Sequence, residues 1–246
     1  ADWDTYCPEL GIACYMRIES NRPAKNGGWI HPLGDSPNAA PSKPAFEAPP
    51  KINVTQIMRE WSKSTRDSWI DKLATILGVS AMALHALGSA WASPHRAWAW
   101  PMRDGNGEPV GIRLRTMDGK KFAVTGSHAG IFIPHWKRSS EMVIAEGPTD
   151  AAAGLTIGLF TIGRPSCLGS EDQIVTLIRR AGVERVVICA DADGPGQRGA
   201  DKLQTCLPVL SVIVTLPAKD LRSAVQAGLT QATFRSILGD YLWTQP

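Results

Sequence analysis

Short apolar segments alternate with amphipathic or small-residue segments through residues 139–246, and this alternation constrains the fold more than any other feature of the sequence. The apolar segments are predicted strands, at 142–145, 159–162, 186–189 and 209–216. The intervening segments are predicted helices, around 151–158, 174–181 and 197–207. Strands that alternate with helices form a parallel sheet with crossover helices. We therefore predict an α/β fold for this part of the chain.

Three segments of different character precede the α/β part. The first is rich in Pro, Gly and Asn and ends in a proline-rich linker, the second has apolar residues at helical spacing, and the third has short strands broken by turns. The predicted domains are an irregular segment at 1–50, a helical unit at 51–95, an antiparallel subdomain at 96–138 and the α/β domain at 139–246.

The helical unit has recognisable ends. Thr55 and Ser80 are predicted N-caps, and Gly78 and Gly88 are predicted stops. Residues 76–88 also fit a helix-turn-helix, but the candidate recognition helix has no Lys or Arg to contact a phosphate or a base edge. A structural role is therefore the favoured interpretation.

The composition supports a globular protein outside the membrane. Among the 246 residues, 43% are hydrophobic, which is enough to build a substantial core. No apolar run approaches the roughly 20 residues of a bilayer span, and no basic-then-apolar leader opens the sequence. The 5 cysteines are scattered along the chain, which argues against a disulfide scaffold. We expect a cytoplasmic protein with no membrane partner.

The antiparallel subdomain is basic. Its net charge is +5, whereas that of residues 139–246 is −2. Asp104-Gly105 and Asp118-Gly119 are predicted hairpin turns in which glycine supplies the positive φ. Side chains alternate along a strand, so Arg113 and Arg115 share one face. Together with Lys120 and Lys121 nearby, they predict a phosphate-binding surface.

Carboxylates follow two of the predicted parallel strands. Glu146 ends the first strand, and Asp191 and Asp193 follow the third. If these strands are neighbours, the three acids meet at one edge of the sheet. Oxygen ligands without nearby His or Cys favour Mg²⁺ or Mn²⁺ over zinc. The alternative is that these acids, with the glycines at 194 and 196, only cap helices.

Two strings that contain these acids resemble the signature motifs of the Toprim domain. They are VIAEGPTDAAA at 143–153 and VVICADADGPGQRGADKL at 186–203. The Toprim domain occurs in DNA primases, topoisomerases, certain nucleases and recombination mediators. The resemblance implies that Glu146 transfers a proton or positions a metal, and that Asp191 and Asp193 bind Mg²⁺.

The flanking sequence is similar to that of bacterial-type and phage or mobile-element DNA primases. WAWPMRDGNGEPVGIRLRTMDGKKFAVTGSHAGIFIP, GRPSCLGSED and LPAKDL carry this similarity. It implies a nucleotidyltransferase that makes RNA primers on single-stranded DNA from ribonucleoside triphosphates, with Mg²⁺ or Mn²⁺ and a replicative helicase in cis or in trans. It further implies a fourth metal-site acid, Asp220, and a set of template- and nucleotide-binding residues: Arg113, Arg115, Lys120, Lys121 and Lys219.

Other Toprim activities fit the sequence less well. A topoisomerase needs a tyrosine nucleophile in a strand-passage domain, which the tyrosines Tyr6, Tyr15 and Tyr241 do not offer. A P-loop for an ATP-driven nuclease is absent from the sequence. Two alternatives stay open: a metal-dependent Toprim nuclease, and a non-catalytic module that binds single-stranded DNA.

The N-terminal segment has features of a degenerate zinc ribbon. Primases of this class begin with such a ribbon, and residues 27–34 resemble its last strand. Cys7, Cys14 and His31 are potential ligands. The six residues between the two cysteines exceed the usual spacing of about two to four, and a fourth ligand is missing. The favoured interpretation is a remnant that binds no zinc.

Aromatic residues flank the basic subdomain. Trp91, Trp98 and Trp100 could stack on unpaired bases, but packing in the core is the favoured role of each. Cys167 and Cys189 are predicted structural thiols.

Overall fold

The computed structural model describes residues 5–7, 12–15, 22, 29–32, 52–135, 139–239 and 241, with only the backbone described at 5–7, 13–15 and 32. The chain divides into two compact units, Ala1–Ala48 and Pro49–Pro246. No helix in these described ranges is both long and apolar enough to span a bilayer.

The N-terminal unit contains a three-stranded antiparallel sheet. Its strands are β1 (Thr5–Cys7), β2 (Ile12–Tyr15) and β3 (Trp29–Pro32), in that order. Cys14 lies opposite Thr5 and Ile30, and His31 lies opposite Ala13. The side chains of Cys7 and Cys14 lie outside the described residues, so the interpretation as a zinc-free remnant stays a prediction.

The C-terminal unit begins with three helices and an antiparallel sheet. The helices are α1 (Val54–Ser64), α2 (Asp67–Leu77) and α3 (Ala81–Ala86). The strands are β4 (Ala90–Ala92), β5 (Ala97–Arg103), β6 (Pro109–Thr116) and β7 (Lys121–Ala123), with a 3-10 turn at Ser93–His95. They pair in the order β4-β5-β6-β7.

A parallel sheet with crossover helices follows, as predicted. Its strands are β8 (Glu141–Glu146), β9 (Thr161–Arg164), β10 (Arg185–Cys189) and β11 (Leu210–Val214). Its helices are α4 (Gly147–Thr156), α5 (Glu171–Ala181), α6 (Gly194–Cys206), α7 (Leu221–Gln226) and α8 (Gln231–Gly239). The strand order is β11-β10-β8-β9, so the first and third strands are neighbours.

Two adjacent residues connect the antiparallel and parallel sheets. Ile131 forms an antiparallel bridge with Arg103 at the end of β5, and Phe132 forms one with Gly163 in β9. A side chain at Gly163 would clash, since a Cβ there would lie 2.4 Å from the carbonyl oxygen of Gly147. The same Cβ would lie 3.1 Å from Cδ2 of Phe132, so the segment that follows the antiparallel sheet also packs closely on β9.

Within this unit, hydrophobic core residues of the helical unit, the antiparallel subdomain and the α/β domain pack against one another. Trp98 and Trp100 are buried in one apolar cluster with α2, α3 and residues of α4, β8 and α7. On the opposite face of the antiparallel sheet, Val54 and Met58 of α1 pack against a row of alanines in β4 and β5. The small alanine side chains let α1 approach the sheet closely. The predicted packing role of Trp98 and Trp100 is therefore confirmed.

The ends of the first helices follow the predicted pattern with one exception. Ser80 caps α3 by accepting a hydrogen bond from the Ala83 amide at 3.2 Å, and Gly78 ends α2 with φ 65°. The prediction that Thr55 caps α1 is wrong. Asn53 is the N-cap, because its side-chain oxygen accepts a hydrogen bond from the Gln56 amide at 3.0 Å.

The first predicted hairpin turn also differs in detail. Gly119 has φ 90° as expected, but in the β5–β6 turn the positive φ falls on Gly107 instead of Gly105. The Asp104 side chain accepts hydrogen bonds from the amides of Asn106 and Glu108, which lengthens the turn beyond two residues. The glycine with positive φ therefore lies later in the loop.

Candidate active site

A cleft of about 230 Å³ opens between the antiparallel sheet and the carboxyl edge of the parallel sheet. Four carboxylates line it: Glu146, Asp150, Asp191 and Asp220. Six cationic side chains line it as well: Arg113, Arg115, Lys121, Arg164, Lys219 and Arg222. The cleft therefore contains both acidic and basic residues that the sequence predicts to be functional.

The topology brings the predicted acids together. β8 and β10 are hydrogen-bonded neighbours in parallel register, with Ile144 beside Ile188. Glu146 is the last residue of β8, and Asp191 follows β10 directly after Ala190. Glu146 and Asp191 therefore meet at one edge of the sheet and both line the cleft, whereas Asp193, the third acid of the prediction, does not line it.

Burial and the repulsion between carboxylates both act on the acids at this edge. The pKa of Glu146 is raised to about 7, first by burial and then by the negative charge of Asp191, while Arg164 opposes the increase. Burial, followed by the charges of Asp220 and Asp193, raises the pKa of Asp191 to about 6. A bound cation would relieve this repulsion.

Asp150 belongs to the same group, although the sequence analysis assigns it no role. It lies in the first turn of α4, and its Oδ1 accepts a hydrogen bond from the Arg222 amide at 2.9 Å. Burial, with Asp220 and Asp191 adding to it, raises the pKa of Asp150 to about 6. Its place four residues after Glu146, within the first Toprim-like string, is the signal that could have identified it.

Two of the acids also cap helices. Asp193 accepts a hydrogen bond from the Gly196 amide at 2.8 Å, and Asp220 accepts one from Ser223 at 2.7 Å. Asp193 is exposed and does not line the cleft, although its charge acts on Glu146 and Asp191. Each cap engages only Oδ1, so capping and a role at the cleft are compatible.

Most of the predicted basic residues face the cleft. Arg113 and Arg115 share one face of β6, opposite Trp100 and Trp98, and burial lowers the pKa of both arginines. Lys121 lies beside Arg115 in the register. Lys120 does not line the cleft: it immediately precedes β7, and its exposed Nζ lies 3.5 Å from Asp118.

Two further arginines complete the cationic side of the cleft. Arg164 is buried beside Glu146 in the parallel register, and it donates hydrogen bonds to the carbonyls of Gly199 and Gly169 at 3.3 and 3.1 Å. Arg222 follows Asp220 at the start of α7, and its buried Nε makes no hydrogen bond with the described residues. Arg164 is the last residue of β9, and this position at a strand end is the sequence signal that points to it, whereas Arg222, in α7, has no such signal.

The donor set of the cleft fits Mg²⁺ or Mn²⁺. Its lining residues include four carboxylates and no His or Cys. Among the described residues, no group of three or more His, Cys, Asp and Glu side chains is arranged to hold an ion. Magnesium needs only one or two carboxylates when water and substrate phosphates complete its shell. The chemistry of the residues therefore suits this metal and does not suit zinc.

Solved structures with the same fold are primase catalytic cores. The E. coli primase catalytic core aligns with TM-score 0.61 and 14% identity over 77% of this chain and 79% of that chain. The DnaG primase catalytic domain bound to ssDNA aligns with TM-score 0.60 and 15% identity over 77% and 78%. The primase fragment of bacteriophage T7 primase-helicase aligns with TM-score 0.54 and 20% identity over 68% and 72%. The fold is that of a DnaG-type primase core.

The predicted α/β architecture with a preceding antiparallel sheet is therefore confirmed. No protein-family model matches the sequence, and no curated protein sequence matches it.

Proposed function

We propose that this chain is the catalytic core of a DNA primase, which makes short RNA primers on single-stranded DNA by metal-dependent nucleotidyl transfer. The supporting observation is the cleft, in which four carboxylates face six cationic side chains on a primase-core fold. Such an arrangement suits a reaction that joins polyanionic substrates with the help of a divalent cation.

In the proposed reaction, the 3′-hydroxyl of a primer nucleotide attacks the α-phosphate of a ribonucleoside triphosphate and pyrophosphate leaves. Of the four cleft carboxylates Glu146, Asp191, Asp150 and Asp220, one or two would hold Mg²⁺ or Mn²⁺, and water and substrate phosphates would complete the shell of the ion. When bound, the metal neutralises charge on the phosphates and lowers the pKa of the attacking hydroxyl. Glu146, with a pKa of about 7, is suited to hold and release a proton near neutral pH.

The cationic residues would bind the phosphates of both substrates. Arg113, Arg115, Lys121 and Lys219 line the cleft, and Arg222 extends this set. Lys120 lies outside the cleft, so its proposed contact is with template phosphates further from the reacting atoms. Asp193 would act on the metal site through its charge and through its cap on α6.

The solved structures suggest the partners. One neighbour is a primase catalytic domain bound to ssDNA, another has primase domains bound to an RNA/DNA hybrid, and a third is a fragment of a primase-helicase. By analogy, we propose a single-stranded DNA template, ribonucleoside triphosphates and a replicative helicase, in cis or in trans, as partners of this chain.

Product analysis tests the proposal. The purified chain is incubated with single-stranded DNA, Mg²⁺ or Mn²⁺ and labelled ribonucleotides, and we expect oligoribonucleotide products. Cleaved DNA would indicate the nuclease alternative. A metal-independent gel shift without products would indicate the non-catalytic binding module.

The variant Asp191→Ala is expected to abolish primer synthesis while the protein stays folded. Loss of a metal-binding carboxylate costs several kcal/mol of barrier, and each ~1.4 kcal/mol is a factor of ten in rate. The matched control is Asp172→Ala, because Asp172 is an exposed acid in the first turn of α5 and does not line the cleft. If Asp191→Ala retained more than about a tenth of the activity, the assignment would be contradicted.

A further inference from the structure

An apolar groove of about 310 Å³ lies where helix α2 meets the antiparallel sheet. Large apolar side chains make up most of its lining: Trp69, Leu73, Ile76, Trp91, Trp98 and Met117. None of these residues lines the cleft that contains the four carboxylates. The function proposed above gives this groove no role.

Part of the apolar lining of the groove faces solvent. Ile76 is 61% exposed, Met117 is 63% exposed, and Trp69 and Trp91 are half-buried. Trp98 is buried and offers little surface itself, but it supports Trp91 through an edge-to-face contact with ring centroids 5.4 Å apart. Contiguous exposed apolar surface usually marks a binding site. The groove therefore offers aromatic and aliphatic surface to a ligand.

One row of paired residues connects the groove with the cleft. Trp91 of β4 is paired with Trp98 of β5, and Trp98 is paired with Arg115 of β6. Arg115 is paired in turn with Lys121 of β7. Directly paired residues point to the same face of a sheet, and two strand spacings place Trp91 about 10 Å from Arg115. The two tryptophans line the groove and the two cations line the cleft, so the groove and the cleft adjoin on one sheet face.

The charge next to the groove on α2 is positive. Lys72 is the charged residue in its lining, and the guanidinium of the exposed Arg66 lies over the Trp69 ring, 5.5 Å from its centroid. Neither cation forms an ion pair with any residue that the structure describes. The acids of this helix lie elsewhere: Asp67 is 3.9 Å from a histidine of α3, and Asp71 lies one turn later on the same side.

A further cation lies on the other side of Trp91 and Met117. These two residues also line a neighbouring cavity that contains Arg96 and Asp118. The Nζ of Lys120 lies 3.5 Å from Asp118 and offsets its charge. Arg96 is exposed and forms no ion pair within the described part of the chain. The apolar surface is therefore bordered by cations on both sides.

We propose that the apolar groove binds unpaired bases of a DNA strand that continues into the cleft, with phosphates of the strand on the bordering cations. The identity of this ligand rests on the proposed function. Aromatic side chains stack on the flat faces of bases whatever the sequence, and neighbouring cations follow the phosphates. An apolar peptide would use the aromatic surface alone, whereas a single strand also uses the cations and the continuity with the cleft. A duplex does not fit, because its base faces are already stacked.

Fluorescence anisotropy with a labelled oligothymidylate tests the groove. EDTA in the buffer removes any contribution of metal at the carboxylates. We expect Trp69→Ala to weaken binding at least about fivefold, the lower end of the usual loss of one base–aromatic stack. The dependence of log K on log salt concentration should keep its slope in this variant. In Arg115→Gln the slope should become shallower by about 0.7, because a phosphate contact is lost.

Met117→Asp is a second variant that changes only an exposed side chain, and Met82→Asp is its matched control. Each methionine is 63% exposed, but Met82 lies in α3 and does not line the groove. A carboxylate in the groove would repel the strand, so we expect Met117→Asp to weaken binding at least about fivefold. Met82→Asp should change it less than about twofold, because salt screens a charge outside the site.

Photocross-linking locates the bases directly. An oligonucleotide that contains 5-iodouracil is irradiated with the parent protein, and we expect cross-links at Trp69, Trp91 or Met117. The inference is overturned if cross-links form only outside the groove, if a duplex of equal length binds as tightly, or if single-stranded DNA does not bind. It is also overturned if the folded Trp69→Ala and Met117→Asp variants bind like the parent.

The same variants separate this inference from the proposed function. If the chain makes primers while both groove variants bind DNA like the parent, the inference fails and the proposed function stands. If the groove binds DNA as expected but no primers form, the inference stands and the proposed function fails.

Discussion

Strand β8 carries a glutamate at each end, and the two glutamates have opposite surroundings. Glu141, at the start, is buried and forms ion pairs with Arg235 and with Arg185, the latter at 3.7 Å. Glu146, at the end, feels the negative charges of Asp191, Asp193 and Asp150, which the charge of Arg164 opposes. One glutamate is matched by positive charge, and the other is crowded by negative charge.

This difference separates a structural site from a candidate functional site on the same strand. The pair of Glu141 with Arg235 joins β8 to α8, which is 94 residues away in sequence. The crowding around Glu146 destabilises the ionised fold and is useful only when a cation or a proton is bound. The neutral analogue glutamine should therefore have opposite effects at the two ends.

Glu146→Gln is predicted to have the largest effect on activity. We expect primer synthesis to fall at least about a hundredfold, because the variant loses a metal-site oxygen charge and a proton acceptor. Thermal unfolding at pH 8 should occur at the same or a higher temperature, since one repelling charge has gone. A clear decrease in unfolding temperature would mean that Glu146 is a structural residue like Glu141.

Glu141→Gln is predicted to change stability instead. We expect the free energy of unfolding, measured by urea denaturation, to fall by about 1–2 kcal/mol. The loss stays below that of a fully buried pair, because the side chains of Arg185 and Arg235 are 50% and 47% exposed and remain hydrated. Primer synthesis below the unfolding transition should stay within about twofold of the parent rate. If the folded Glu141→Gln variant lost activity, the contrast between a structural Glu141 and a functional Glu146 would be contradicted.

A smaller effect is expected on the pH dependence of the unfolding temperature, which tests whether the acids around Glu146 destabilise the fold when they are ionised. The pKa of Glu146 is raised to about 7, and those of Asp150 and Asp191 to about 6. Between about pH 4 and 7 the folded protein keeps protons that the unfolded chain has released. The metal-free protein should therefore unfold at a lower temperature as pH rises through this window.

Added Mg²⁺ should reverse this destabilisation at pH 8 and have less effect at pH 5, where protons already neutralise the cluster. Calorimetric scans with and without the metal measure both effects. Asp191→Asn should flatten the pH dependence, whereas Asp172→Asn should leave it unchanged, because Asp172 is exposed and does not line the cleft. A pH profile that Asp191→Asn does not change would contradict the predicted repulsion.

Much of the fold could be predicted from local patterns. The alternation of apolar strands and helices after residue 139 predicts the parallel sheet, and the hairpin signals predict the β5–β6–β7 meander. In two places the prediction assigns a role to one residue, and a nearby residue of similar type takes that role in the structure. Asn53 caps α1 in place of Thr55, and Gly107 takes the positive φ expected at Gly105. In each case a side-chain hydrogen bond to the backbone selects the residue, and composition does not reveal which bond forms.

The site was predictable where its residues follow strands in recognisable strings. Glu146 and Asp191 are predicted in this way, whereas Arg113 and Arg115 are predicted from the alternation of side chains along their strand. Asp150 was not, because an acid in the first turn of a helix is equally typical of a simple cap. Arg164 lies beside Glu146 only because β9 pairs with β8, and this pairing is a property of the sheet.

The sequence by itself determined the element types, the alternation that makes the sheet parallel, and the strand ends at which acids occur, since these depend on periodicity and local backbone preference. The tertiary structure alone decided which charges meet. Strand order puts Asp191 beside Glu146, the Ile131–Phe132 bridge brings the arginines of β6 to the same cleft, and packing of α8 gives Glu141 its arginine. Coulomb energy depends on distance and burial, and for residues far apart in the chain only the folded arrangement fixes both.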